Sequence, residues 1–180
     1  EFYIFDWCRN FEYFEKNPNG QETKHIQSLT ERLFCLRTDI VRRLQHQEYQ
    51  EDAYCKQLHD DLKNLLYGQV CSLSDSHISV REKWETVSHF KDEKSWKYVS
   101  ELDAMCLKND ISPLLPKNTI DESAKKFDVL MLMIEFSCLD KDTDASKCIQ
   151  RVQLIADRLQ DKASLPQVQA KIVTIKEVLS

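Results

Sequence analysis

Glycine is almost missing. Only Gly20 and Gly68 occur in 180 residues, against about a dozen at ordinary usage. Tight turns, bulges and strand-to-helix crossovers all consume glycine, so an all-helical fold is the economical expectation. The same shortage removes two chemistries. A G-x-x-x-x-G-K loop and a G-x-G-x-x-G fingerprint need closely spaced glycines where backbone meets phosphate, and two glycines this far apart supply neither. This chain alone is not expected to bind or hydrolyse ATP in the P-loop manner. Long apolar runs are lacking too: the greasiest stretch, Phe127 to Leu139, is too short to span a bilayer. An initiator Met and a signal-peptide pattern are absent, and the chain opens inside the aromatic run Phe2, Tyr3, Phe5, Trp7, Phe11, Tyr13 and Phe14. It is therefore read as a piece of something longer. Excess positive charge is missing as well. A net charge of −5 argues against a strongly basic nucleic-acid module while leaving room for a local basic face.

What is present reads as helix. Cysteine stands at 8, 35, 55, 71, 106, 138 and 148, mostly inside apolar helical patterns, with no C-x-x-C pair and an odd total. Reduced, buried cysteines acting as small hydrophobes are expected, as in a cytoplasmic protein. A first helix is predicted from about Ile4 to Lys16, ending at the turn cluster Asn17, Pro18, Asn19, Gly20. Ser28 and Glu31 have capping-box spacing. Leu29, Leu33, Leu36, Ile40 and Leu44 then fall within about an 80° arc, the mark of an amphipathic surface helix.

A third helix is expected over Tyr49 to Cys71, with Tyr54, Leu58, Leu62, Leu65 and Leu66 inward, followed by the loop CSLSDSHIS. A fourth covers about Val80 to Phe90. Lys94 to Asn109 continues in one or two short pieces, with Trp96, Val99, Leu102, Met105 and Cys106 inward. Pro113 and Pro116 make ISPLLP a rigid connector.

Thr119 and Glu122 repeat the capping-box spacing ahead of DESAKKFDVLMLMIEFSCL, an apolar helix interrupted from Phe127 onward only by Asp128, Glu135 and Ser137. A helix greasy on nearly every face needs neighbours all round. After the acidic turn DKDTD, a helix over about Ala145 to Gln160 carries Cys148, Val152, Ile155 and Leu159 on one face. Ser164, Pro166 and Gln167 open a last helix in which Leu165, Val168, Ile172, Ile175 and Leu179 form a narrow seam suited to one partner helix. The expected fold class is all-α: an irregular bundle of about seven to nine helices around a central hydrophobic helix at about 120–139.

Catalytic and metal motifs fail on inspection. Asp140, Asp142 and Asp144 mimic the start of a calcium loop, but Ala145 replaces the turn glycine and Arg151 the bidentate glutamate. Glu22, Thr23 and Lys24 spell the E-x-K of a metal-dependent nuclease, with no strand pattern around them. His25, His46, His59, His77 and His89 share no ligand spacing. Two regions are candidates to face phosphate: Arg32, Arg37, Arg42 and Arg43 on the second helix, and Arg81, Lys83, Lys91, Lys94 and Lys97 interleaved with Trp84, Phe90, Trp96 and Tyr98. A solvated mixed-charge surface over buried aromatics is the plainer reading of both, and phosphate contact is the other.

Five segments, in order along the whole chain, carry a resemblance: FDWCRNFEYFEKNPNG, SLTERLFCLRTDIVRRLQ with the following EYQ, VREKWETVSHF, DESAKKFDVLMLMIE and SLPQVQAKIVTIKEVL. Together they resemble the C-terminal helical region of the R subunit of type I restriction-modification enzymes. The resemblance implies a single C-terminal domain over 1–180, cut from a larger subunit with a metal-dependent nuclease domain and two RecA-like motor lobes. It implies ATP and Mg2+ as cofactors of that parent and none for this piece, because no nuclease or Walker motif can be placed here.

Implied partners are the methyltransferase (M) subunit with its M/S core, the parent's own second helicase-like lobe, and duplex DNA through the parent complex, in a bacterial or archaeal cytoplasm. The expected role is non-catalytic: docking the translocase onto the methyltransferase core. The seam of Leu165, Val168, Ile172, Ile175 and Leu179 is the candidate docking surface, and Arg32, Arg37, Arg42, Arg43, Lys94 and Lys97 are the candidate phosphate contacts. A duplex-DNA guide and an unrelated helical interaction module are the alternatives.

Overall fold

The computed structural model describes residues 27–117, 121–140 and 143–179, and every regular element among them is helical. In chain order the α-helices are α1 (Leu29–Leu44), α2 (Gln47–Gln50), α3 (Ala53–Cys71), α4 (Ile78–Glu82), α5 (Trp84–Lys91), α6 (Glu101–Cys106), α7 (Glu122–Leu139), α8 (Ser146–Gln160), α9 (Pro166–Gln169) and α10 (Ile172–Leu179). The 3-10 turn Glu93–Trp96 joins α5 to α6, and a π turn, Leu107–Ile111, runs from α6 into the 3-10 turn Ser112–Leu114. No helix among the described residues is long and apolar enough to cross a membrane. The expected helix at Ile4 to Lys16 and the Thr119 cap lie outside the described residues.

The hub is α1, which corrects its expected place at the surface. Ser28 caps it, its hydroxyl accepting the Glu31 N–H at 3.2 Å and donating to Glu31 Oε1 at 3.0 Å. Leu33, Ile40 and Leu44 are buried on the predicted face, and Phe34 and Val41 are buried on a second face about 100° away. Two polar residues go inside with them. The Thr38 hydroxyl donates to Phe34 O at 2.9 Å, satisfying itself within the helix, and buried Glu31 has its cap and the Lys117 ammonium, 3.7 Å away. Around α1 pack α7, α3, α6 and the turns of 107–114.

Breaks in the chain divide several predicted helices. Asp52 accepts the Cys55 N–H at 2.8 Å and so starts α3 afresh after α2, where one helix was expected from Tyr49. That restart sends Leu62, Leu66 and Val70 inward, while Tyr54 is left 66% exposed and Leu65 also faces out. Lys83 interrupts the expected Val80–Phe90 helix. In the next segment Ala104, Leu107 and Ile111 fill the core, and Leu102, at 73% exposure, and Met105 do not. Trp96 and Val99 are buried as expected. Trp96 Nε1 donates to Phe90 O at 2.8 Å, and Gln45 clamps Val99 from both sides, giving its amide N–H to Val99 O at 2.8 Å and accepting Val99 N–H at 2.9 Å.

The apolar helix α7 lies between α1 on one side and α8 on the other, which is how it uses its greasy circumference. It is a bridge more than a centre: Val129 and Leu132 are buried, while Phe127 and Cys138 reach the surface. The cysteines divide similarly. Cys148 is buried and Cys35, Cys55 and Cys106 are half-buried, but Cys71 and Cys138 are exposed, against the expectation of general burial.

Candidate interaction surfaces

The C-terminal helices carry the first surface. The 15 residues of α8 bury only Cys148 and Ala156. Val152, Ile155 and Leu159 continue the same stripe but stay partly open, and with Phe127 of α7 and Ile175 of α10 they line a groove of about 400 Å³. The seam expected as one helix is two. Pro166 begins α9 with Leu165 at its cap, and the turn at Ala170 and Lys171 separates it from α10. Leu165 is half exposed; Val168, Ile172 and Ile175 are half-buried. Thus part of the seam is used to pack α10 onto α8, and the groove beside that contact remains open. The side chain of Leu179 lies outside the description.

The six predicted cations separate into different surroundings. Arg37 is drawn into the bundle, where burial pulls its pKa down and the Asp128 carboxylate opposes the shift. Arg43 reaches Asp140 Oδ1 at 3.3 Å, tying α1 to the end of α7, and Asp140 also accepts the Thr143 hydroxyl at 2.8 Å. Arg42 is half-buried on the same helix. Lys94 and Lys97 border a shallow depression of about 260 Å³ with Lys63, Tyr67, Glu93 and Trp96. Arg32 is exposed and lies over α7, its Nη2 3.3 Å from Met133 Sδ.

Two other basic residues of the 77–98 region, Lys83 and Lys91, are occupied by the fold, while Arg81 is exposed. Lys83 meets Asp110 at 2.7 Å, a contact that holds its ammonium above the ordinary value. Lys91 donates to Leu73 O at 2.6 Å and sits 5.1 Å over the Trp84 ring.

Three further cations do not stand out as a group in the sequence. Lys126, Lys147 and Arg151 join Arg32 around a groove of about 500 Å³ between α1, α7 and α8. Nothing local announces the group, because its members lie on three different helices and Arg32 stands about 100 residues from the α7 floor it covers. Among the described residues no cluster of three or more His, Cys, Asp or Glu could hold a metal ion. Asp144, one of the calcium-loop mimics, accepts the Ser146 hydroxyl at 2.5 Å and the Ser146 N–H at 2.8 Å ahead of α8, and the two bonds lower its pKa. Compared with known proteins, the chain matches no family model, no curated protein and no solved structure.

Proposed function

We propose that this chain is a non-catalytic helical assembly domain, of the kind found at the C-terminus of type I restriction R subunits, and that it docks a DNA translocase onto its methyltransferase core. The observation that carries docking is the open apolar groove of about 400 Å³ in which Val152, Ile155 and Leu159 of one helix face Phe127 and Ile175 of two others. The five-segment resemblance supplies the identity of the partner. A mechanical role suits the fold: a motor pulling duplex needs an anchor, and a close-packed core transmits force with little deformation. In such a parent, ATP and Mg2+ belong to the nuclease and motor domains, and the chain works in the cytoplasm of a bacterium or archaeon.

The test is size-exclusion chromatography with light scattering of the 180-residue chain mixed with its cognate methyltransferase core at moderate salt. Co-elution is expected, and Ile155→Asp is expected to abolish it while leaving the helical circular dichroism intact. Separate elution of the folded wild-type chain would exclude autonomous docking. Genes for a methyltransferase and a specificity subunit are also expected beside the parent gene.

A further inference from the structure

Four cations from three helices meet around one groove in a chain that is acidic overall. Arg32 lies near the start of α1, Lys126 near the start of α7, and Lys147 and Arg151 one turn apart on α8. Among the described residues no carboxylate lines the groove. Lys126 has Glu122 beside it at 3.3 Å, both well exposed, which water largely screens. Lys147 and Arg151 make no ion pair with any described residue. Like charges one turn apart on a helix are mildly destabilising, so the fold itself gains nothing from this arrangement.

The floor has the opposite character. Leu130 and Met133 lie along it, and the Cys148 thiol meets Met133 Sδ at 3.9 Å. Thioethers adapt to varied apolar shapes, which is why they recur in binding grooves.

We propose that this groove docks an acidic amphipathic helix of a partner protein, its apolar stripe on Leu130 and Met133 and its carboxylates on Arg32, Lys126, Lys147 and Arg151. Charge complementarity selects the occupant. An amphipathic helix laid in a groove presents apolar anchors to the floor and charged residues to both rims, and rim charges steer encounter and fix register. Duplex DNA matches the rim alone: its phosphates pair with cations, and its backbone has nothing to bury on leucine and methionine. The groove is lined by residues other than those of the C-terminal seam, so the inference holds for any partner docked there.

The probe is a fluorescein-labelled helical peptide with leucines at i, i+3 and i+4 spacing and glutamates on both flanks, followed by fluorescence anisotropy with the full chain. Binding is expected to weaken at least tenfold in the double variant K147E/R151E, and by a similar factor when the peptide's glutamates become glutamines. Lys56→Glu, a charge reversal at an exposed position of α3, is expected to leave it unchanged. Both cations are exposed, so the double variant should keep the wild-type melting curve, which circular dichroism checks. Absence of binding, equal binding of the glutamine peptide, or indifference to K147E/R151E would each overturn the proposal. So would a duplex oligonucleotide that binds more tightly than the peptide and is lost in the same variant.

Discussion

Two helices of nearly equal length divide the molecule. The 16 residues of α1 bury seven side chains, including a glutamate and a threonine, whereas the 15 of α8 bury two. Both are amphipathic by pattern, so periodicity alone does not separate a hub from a flap. The difference lies in what surrounds them. Helices and turns enclose α1 on several sides, and the contiguous core that includes Leu33, Phe34, Leu66, Val87, Phe90 and Leu107 stops at Leu132 of α7. Among the described residues, little more than α8 against α10 lies beyond α7. A stripe that is apolar yet half open still has apolar area to bury, which is what the proposed docking uses.

The contrast is broken most sharply by truncating its best-buried aromatic. Phe34 is fully buried among α1's neighbours, so Phe34→Ala should cost about 3–5 kcal/mol from lost transfer energy and the cavity left behind. Urea unfolding measures it. A cost near 1 kcal/mol would mean that the hub is no better packed than the flap. Next in size is Gln45→Ala. It deprives both backbone groups of Val99 of their partner in a site where Val99 itself is buried. An expected loss of about 1–3 kcal/mol follows from leaving such groups unpaired. The same melt would show whether α1 holds the 93–107 segment through this clamp.

On the other side of the comparison, Ile155→Ala should cost only about 1 kcal/mol, because the side chain is already part exposed. Its effect should be larger on binding than on stability. Hydrogen exchange sharpens the point: amides of α8 and α10 are expected to exchange through local openings, and those of α1 only through global unfolding. Identical protection in α1 and α8 would merge the two regions into one cooperative unit.

Much of the fold was legible in the sequence, and the limits have physical causes. Scarce glycine and helical spacing predict the all-α class, and Ser28 with Glu31 marks the start of α1 to the residue. The hub is hidden because Glu31 and Thr38 look like solvent residues: capping-box spacing gives Glu31 its bond to Ser28 but not its burial, and spacing does not show the Thr38 hydroxyl turning to Phe34 O. Breaks at Asp52 and Lys83 went unseen for a related reason, since a cap competes with helix continuation over a few residues and one such choice rotates every later side chain. Tyr54 and Leu65 face out on the helix restarted at Asp52, and Leu102 and Met105 on the short helix that the Ser100 capping box begins. The C-terminal stripe was readable as apolar, though not as two helices. The cationic groove was unreadable, because only tertiary packing brings Arg32 to Lys147 and Arg151.

The smallest expected effect tests α7, the bridge between the regions. Glu135 is partly buried there, and desolvation raises its pKa above the ordinary value of 4.5, with a hydrogen bond from Tyr54 opposing the shift. A carboxyl whose pKa is raised on folding binds its proton more tightly in the native state. Stability from this group is therefore present below about pH 4.5 and is lost as pH rises through the folded pKa, after which it levels off. Glu135→Gln removes the titration and keeps the shape. The variant should gain on the wild type as pH rises from 4 towards neutrality, by a few tenths of a kcal/mol once solvent screening at this half-open site is allowed for. Thermal melts of both proteins across that range provide the measurement. A difference that stays constant with pH would show that Glu135 meets water as freely in the folded chain as in the unfolded one, and that α7 is as open as α8 at this position.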